Sequence, residues 1–197
     1  MTSAVSYRAL GPLSLRFGVA MIVAISLSAL TGCTHTSSPQ NTPSTTRTAS
    51  TAFSIRCSSL VTSAQMDAFN PAFSLDPDYT PAHNSLQSAI VAWHGTACGW
   101  TNQKNGEVLQ IAVATPPASQ RDTLKDAAIS VAKPVPTYGT SPVEGYFRPG
   151  SQGQVQVFSG EYWIVAESSA FFEPGDAQTL MQNVLANLPT ASDDGHL

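Results

Sequence analysis

The sequence predicts an α+β domain, an antiparallel sheet of about four or five strands with helices packed on one face and one disulfide within the domain. Two hairpin patterns indicate the sheet, because alternating apolar segments flank Asn105-Gly106 and, further on, Ser159-Gly160. Apolar residues at helical spacing before, between and after the hairpins indicate the helices. The predicted domain covers residues 53–189, a length typical of one domain with one core.

A pattern typical of a bacterial lipoprotein signal peptide covers residues 1–32. Two arginines precede the uncharged apolar segment 17–30, which is shorter than the ~20 residues that a membrane-spanning helix needs. Leu30-Thr31-Gly32-Cys33 then resembles a lipobox. That resemblance implies cleavage after Gly32, a diacylglycerol thioether and acyl chains such as palmitate on Cys33, and anchoring at the extracytoplasmic face of the cell membrane. The alternative is an uncleaved signal anchor with an incidental cysteine.

Residues 33–52 are predicted to be the lipidated cysteine and a flexible tether. From Thr34 to Ala52 most residues are Ser or Thr, and prolines interrupt them, so this segment cannot bury a core. Its composition also permits O-glycosylation, which the sequence cannot establish.

The charge of the predicted mature chain is acidic. Removal of the two signal-peptide arginines leaves 7 of the 9 basic residues against 13 acidic ones, a formal net charge of −6. A chain of this kind lacks the basic stripe that nucleic-acid binding requires. Nucleic acid and anionic lipid headgroups are therefore not expected as partners.

The first half of the domain is predicted to contain two helices separated by a loop. Thr62 and Gln65 have the spacing of a capping box, which predicts a short helix from Ser63 to about Phe69. A loop with three prolines, 71–84, follows, and apolar residues at helical spacing predict a second helix at 86–93. The two hairpins are expected to supply the strands 97–101, 107–115, 154–158 and 161–167.

The second half is predicted to contain two more helices, one at 119–131 and one between Asp176 and Pro189. The segment 133–153 holds four prolines and is a longer loop than a compact domain usually needs, and loops of this kind are often functional. The alternative is an edge segment around a short strand at 145–148. The polar tail, 190–197, is predicted to be disordered.

Cysteine count and compartment favour a disulfide between Cys57 and Cys98. Once Cys33 is assigned to the lipid, these two remain in a chain predicted to reach an oxidising compartment. The alternatives are reactive thiols or a metal pair. Metal binding is disfavoured because no Cys-x-x-Cys spacing is present and only His83 and His94 lie within the domain, so no metal or other cofactor is expected.

No catalytic motif is present in the sequence. The nucleophile-elbow pattern Gly-x-Ser-x-Gly, the Walker A loop and Gly-x-Gly-x-x-Gly are all absent. Asp76 and Asp78 could contribute to a hard-cation site, although a turn explains them better. We therefore predict no catalytic residues.

Aromatic residues give the best indication of binding, since they combine large contact area with a polar group. The alternative for each is core packing. The candidate ligand-binding residues are Tyr79, Tyr138, Tyr146, Phe147 and Trp163. Four of them lie in the loops 71–84 and 138–147, which are the candidate sites, and Trp163 lies in the predicted strand 161–167.

Two motifs of the domain carry a resemblance, Cys57-x-x-Leu60-Val61-Thr62 and, further on, Ala97-Cys98-Gly99-Trp100. On these motifs the domain resembles small secreted lipoproteins of actinobacteria that share a domain of unknown function. The segment from Val157-Phe158-Ser159-Gly160 to Phe172-Glu173-Pro174-Gly175 is similar to uncharacterised members of that group, some of which are labelled as iron-transporter components. The resemblance covers the whole domain. It implies an exported, disulfide-linked α+β domain on a lipid anchor, with no catalytic residues.

These observations predict a membrane-anchored, non-catalytic lipoprotein, monomeric, that binds a small ligand or an envelope protein. Its other partner would be the lipid bilayer, through acylated Cys33. Two alternatives stay open. The first is an accessory or solute-binding component of an importer, which the labels of the similar proteins would relate to iron. The second is an enzyme that acts on the cell wall.

Overall fold

The computed structural model describes residues 52–189. The predicted signal peptide at 1–32, the lipidation site Cys33, the tether up to residue 51 and the tail at 190–197 lie outside the described residues. Within 52–189, the structure contains no helix that is both long and apolar enough to cross a membrane.

The described part contains α-helices, strands and two short 3₁₀ helices. In chain order they are α1 (Cys57–Leu60), α2 (Ser63–Phe69), β1 (Phe73–Asp76), α3 (Leu86–Ala92), β2 (Thr96–Asn102), β3 (Val108–Ala114), α4 (Ala118–Val131), β4 (Lys133–Pro134), a 3₁₀ helix (Pro136–Tyr138), β5 (Glu144–Arg148), β6 (Gly153–Ser159), β7 (Tyr162–Ser168), a second 3₁₀ helix (Pro174–Ala177) and α5 (Gln178–Asn187).

The strands form one seven-stranded antiparallel sheet in the order β1-β2-β3-β7-β6-β5-β4. The antiparallel α+β class is confirmed, but the predicted count of four or five strands is wrong. The additional strands are short and close to prolines, so they lack the alternating pattern by which a longer strand is found. Of these, β5 confirms the alternative of a short strand within the long 133–153 segment.

Helices cover both faces of the sheet, so the prediction that they pack on one face is also wrong. Helices α1, α2 and α5 bury their apolar residues on what we call the α5 face. Helices α3 and α4 pack on the opposite side, the α3/α4 face. The reason lies in the central strands, where Ile111 and Val113 face one layer and the small residues Ala112 and Ala114 are buried against the other.

Local signals in the sequence correspond well to the elements observed. Thr62 and Gln65 form the predicted capping box at the start of α2. Gly106 and Gly160, with φ of +75° and +55°, lie in the turns of the two predicted hairpins, although Asn105 before Gly106 does not share the positive φ. The predicted disulfide between Cys57 and Cys98 is present and links α1 to β2.

Both edges of the sheet are short. Strand β1 has four residues and lies between Pro71 and Pro77, while β4 has two residues, one of them Pro134. Short edge strands interrupted by proline offer few unpaired backbone groups to another strand. Binding by addition of a strand is therefore disfavoured, and the faces of the domain are the better candidates for a binding site.

Candidate functional site

Three polar residues lie side by side on adjacent central strands. Gln110 on β3 is paired with Glu167 on β7, and Glu167 is paired with Gln154 on β6. Paired residues of neighbouring strands point to the same face of a sheet. We call these three residues the amide row. They lie on the α3/α4 face, because Leu109 and Ile111, on either side of Gln110, are buried on the α5 face.

Hydrogen bonds connect the amide row to α3. The Nε2 group of Gln154 donates to Oε2 of Glu167 at 3.0 Å, and Nε2 of Gln87 donates to the same oxygen at 3.5 Å. Gln87 is the second residue of α3, which packs on β2 and β3. The helix therefore brings one more amide to the carboxylate.

The loop before α3 supplies a tyrosine to the same place. The Tyr79 hydroxyl donates to Oε1 of Gln110 at 2.6 Å. Its ring lies directly against Gly99, where an added Cβ would approach a ring carbon to 2.4 Å. Burial, and secondarily the negative charge of Glu167, raise the pKa of Tyr79 to about 12, so its hydroxyl remains a proton donor at neutral pH.

The carbonyl of Gln87 is the unusual group in this cluster. The side chain is 0% exposed, and its Oε1 has no hydrogen-bond partner among the described residues. A buried acceptor without a partner costs about 1–3 kcal/mol, and few such groups occur in folded proteins. Since Nε2 of the same amide reaches Glu167, Oε1 also lies beside the amide row.

The cluster is suited to hydrogen bonding rather than to acid–base chemistry. Each glutamine amide offers a donor and an acceptor, the carboxylate of Glu167 accepts, and the Tyr79 hydroxyl does both. Asp76 lies in the same register line as the amide row, paired with Gly99, which pairs with Gln110. Three strand steps separate Asp76 from Glu167, about 14 Å, which is beyond the spacing of catalytic carboxylate pairs.

A pocket of about 240 Å³ lies elsewhere, between the first two helices and the edge of the sheet. Its apolar lining includes Val61, Met66, Phe73 and Trp100, and Leu75 at its border is 40% exposed. This volume is below that of most small-molecule sites, so the pocket would hold a single apolar group.

A second pocket, of about 290 Å³, has charged walls next to α4. Lys125 forms an ion pair with Glu144 at 2.6 Å, and the Tyr146 hydroxyl donates to the other Glu144 oxygen at 3.0 Å. The hydrogen bond from Lys125 holds the pKa of Glu144 below its ordinary value. Because this pair is largely exposed to water, it contributes little to recognition.

Protein-family models, curated proteins and solved structures give no match to this chain. Its function has to be inferred from the chemistry of its own residues.

The five aromatic residues predicted to bind ligand do not come together. Tyr79 is the one that reaches the amide row. Tyr138 and Phe147 are buried on the α5 face, whereas Tyr146 and Trp163 are buried on the α3/α4 face. Trp163 is 0% exposed and donates its Nε1–H to Oε1 of Gln156 at 3.2 Å. For these four residues the structure shows core packing, the alternative that the sequence left open.

The side chain of Asp76, near Tyr79, forms a turn. Oδ1 of Asp76 accepts a hydrogen bond from the Asp78 backbone N–H at 3.0 Å, which is a turn-forming contact. Within 52–189 no group of three or more His, Cys, Asp or Glu side chains is arranged to hold a metal ion.

The sequence analysis missed the glutamines of the cluster. Two of them had a signal in the sequence, because Gln110 is the single polar residue of the apolar strand β3 and Gln87 lies on the apolar face of a helix. Periodicity marks such residues as exceptions but cannot show that they meet.

Proposed function

We propose that this protein is a non-catalytic binding module of the cell envelope, held at the extracytoplasmic face of the membrane by acyl chains on Cys33, and that its ligand binds at the amide row. The observation that carries this proposal is the partly exposed Glu167 carboxylate, which the buried amides of Gln154 and Gln87 hold in place beside the partly exposed Gln110. Exposed hydrogen-bonding groups whose orientation is fixed by buried partners lose little freedom when a ligand binds.

The amide row is open enough to be reached. Gln110 and Glu167 are partly exposed, whereas Gln154 and Gln87 are buried behind them. A ligand can therefore contact the outer side chains while the inner amides orient Glu167. In such an arrangement the buried side chains fix the orientation of the exposed ones before a ligand binds.

The composition of the cluster supports binding without catalysis. Glu167 is held by two amides, and neither glutamine nor a tyrosine whose pKa is raised to about 12 serves as a general base near neutral pH. The disulfide removes Cys57 and Cys98 as nucleophiles. The cell-wall-acting enzyme is accordingly the weaker alternative.

A thermal-shift screen of the full chain, purified in mild detergent under oxidising conditions, tests the binding role. The panel contains metals, haem, siderophores, sugars and wall fragments. A ligand at 100 times its dissociation constant stabilises the folded state by about 2.7 kcal/mol. We expect a hit whose effect is lost in Gln110→Ala and kept in the control Gln182→Ala, which changes an exposed glutamine on α5.

The outcomes separate the alternatives. A hit that Gln110→Ala leaves unchanged would refute the amide row as the site. Turnover of wall fragments would instead support the enzyme, and stabilisation by iron siderophores alone would support the importer component. For the anchor, we expect an alkyne-tagged fatty acid to label the wild-type chain in cells and not Cys33→Ala, and equal labelling would contradict lipidation at Cys33.

A further inference from the structure

We infer that the amide row is a subsite for a neutral, polyhydroxylated ligand, a mono- or disaccharide, which hydrogen-bonds to the partly exposed Glu167 and Gln110. This inference rests on the proposed function and names its ligand class. It depends on three properties of the cluster: the mixture of donors and acceptors, the balance of charge, and the position of an aromatic ring.

The first property is the hydrogen-bonding capacity that the chain itself does not use. Among the described residues, Gln110 uses its oxygen to accept from Tyr79. Gln110 Nε2 therefore remains as a donor next to the acceptor oxygens of Glu167, which is the paired residue on the neighbouring strand. Hydroxyl groups both donate and accept, so a polyol matches adjacent groups of opposite character better than a ligand with donors alone.

The second property is charge. Glu167 carries the negative charge at the centre, and two amides already donate to it. Arg148 is paired with Gln154 at one end of the same line of residues, and Asp76 lies at the other end. An anionic ligand would be repelled by Glu167. A cationic ligand would be attracted by Glu167 but has no acceptor for Nε2 of Gln110, and the exposed Arg148 lies at the end of the row. A neutral ligand with both donors and acceptors avoids these costs.

The third property is the Tyr79 ring. One part of it packs on Gly99, and its hydroxyl is fixed to Gln110, yet the side chain as a whole stays partly exposed. The ring therefore adds an apolar surface at the border of the hydrogen-bonding groups. Saccharides present C–H surfaces together with hydroxyls, and a site that combines an aromatic ring with amides and a carboxylate complements both.

The test is an NMR titration of the full chain, labelled with ¹⁵N and held in detergent micelles. Glucose, N-acetylglucosamine and trehalose are the saccharide probes, and putrescine and inorganic phosphate are the charged ones. Side-chain NH₂ signals of Gln87, Gln110 and Gln154 report directly on the cluster. We expect at least one saccharide, and neither charged probe, to shift these signals in a saturable way.

Variants then show whether the named groups make the contacts. Glu167→Gln keeps the shape and removes the charge, and Tyr79→Phe keeps the ring and removes the hydroxyl. We expect each to weaken saccharide binding at least tenfold, while Gln182→Ala binds like the wild type. Backbone spectra confirm that each variant is folded before its affinity is compared.

The results distinguish a failure of the ligand class from a failure of the site. If putrescine or phosphate, and no saccharide, saturates the cluster signals, the polyol inference is wrong although binding at the amide row stands. If saccharides bind but shift only signals elsewhere, or bind Glu167→Gln as well as the wild type, the amide row is not their site. If no probe moves the cluster signals, the polyol inference is overturned, and the broader thermal-shift panel decides the proposed function.

Discussion

Breaking the Cys57–Cys98 disulfide should cost about 4 kcal/mol of unfolding free energy. The two cysteines are 41 residues apart, and closing a loop of that length removes about 13 cal/mol/K of unfolded-state entropy in the chain-entropy model, or about 4 kcal/mol at 25 °C. For a domain of this size, about 3 °C of melting temperature corresponds to each kcal/mol. We therefore expect a decrease of about 10 °C on reduction.

The disulfide should also have a local effect on α1. That helix has four residues and no side-chain cap at its start, and Cys57 is its first residue. Without the link to β2, its backbone amides should exchange with solvent much faster, because so short a helix is not stable alone. Hydrogen exchange at Leu60, measured in the oxidised and reduced protein, checks this expectation.

Urea denaturation measures the global effect in three samples: oxidised wild type, reduced wild type, and the double variant Cys57→Ala/Cys98→Ala. Reduction keeps both sulfur atoms in place, so it separates the loss of the cross-link from the small cavity left by alanine. The double variant should be insensitive to reductant. A loss below about 1 kcal/mol on full reduction would refute the reasoning, since the entropy of the open loop would then have no measurable effect.

Three further predictions concern buried polar groups. Gln87→Met should change the stability of the ligand-free protein by less than about 1 kcal/mol, because removal of the unpartnered Oε1 offsets the loss of the long Nε2 hydrogen bond to Glu167; a larger loss in urea denaturation would contradict this. Tyr138→Phe should leave the free energy of unfolding nearly unchanged, since the Tyr138 hydroxyl has no partner among residues 52–189. Tyr162→Phe should lower it by about 1 kcal/mol, because the hydrogen bond to the Pro189 carbonyl is lost. The urea midpoints of the two variants test this difference. The pKa of Tyr79 is raised from 10.0 to about 12 in the folded protein, so the unfolded chain releases this proton first as the pH rises. The resulting contribution to stability is complete below pH 10 and is lost as the pH rises towards 12. Tyr79→Phe should therefore lose stability less steeply over that interval, and equal slopes would argue against the shift.

Much of the fold could be predicted from short-range patterns. The predicted helix 119–131 is observed at Ala118–Val131, and the predicted strand 97–101 at Thr96–Asn102. The capping box at Thr62 and the turn at Gly106 are equally local. Such features depend on residues within a few positions of one another, so a single sequence contains the information needed to find them.

The edge strands could not be found in this way. Phe73–Asp76 is a strand because β2 lies beside it, and Lys133–Pro134 because β5 does. The coverage of both faces was missed for a related reason. Ala112 and Ala114 are too small to mark a second buried face, although they allow α3 and α4 to pack there.

By itself, then, the sequence determined the antiparallel α+β class, the four longer strands, the main helices and the pairing of Cys57 with Cys98. Only the tertiary structure decided the candidate site. Gln110, Gln154 and Glu167 meet because three strands pair in one register, and a shift of one residue would turn each side chain to the opposite face. Gln87 and Tyr79 reach them through the packing of α3 and its loop. Register and packing depend on contacts between residues far apart in the chain, and no local pattern specifies them.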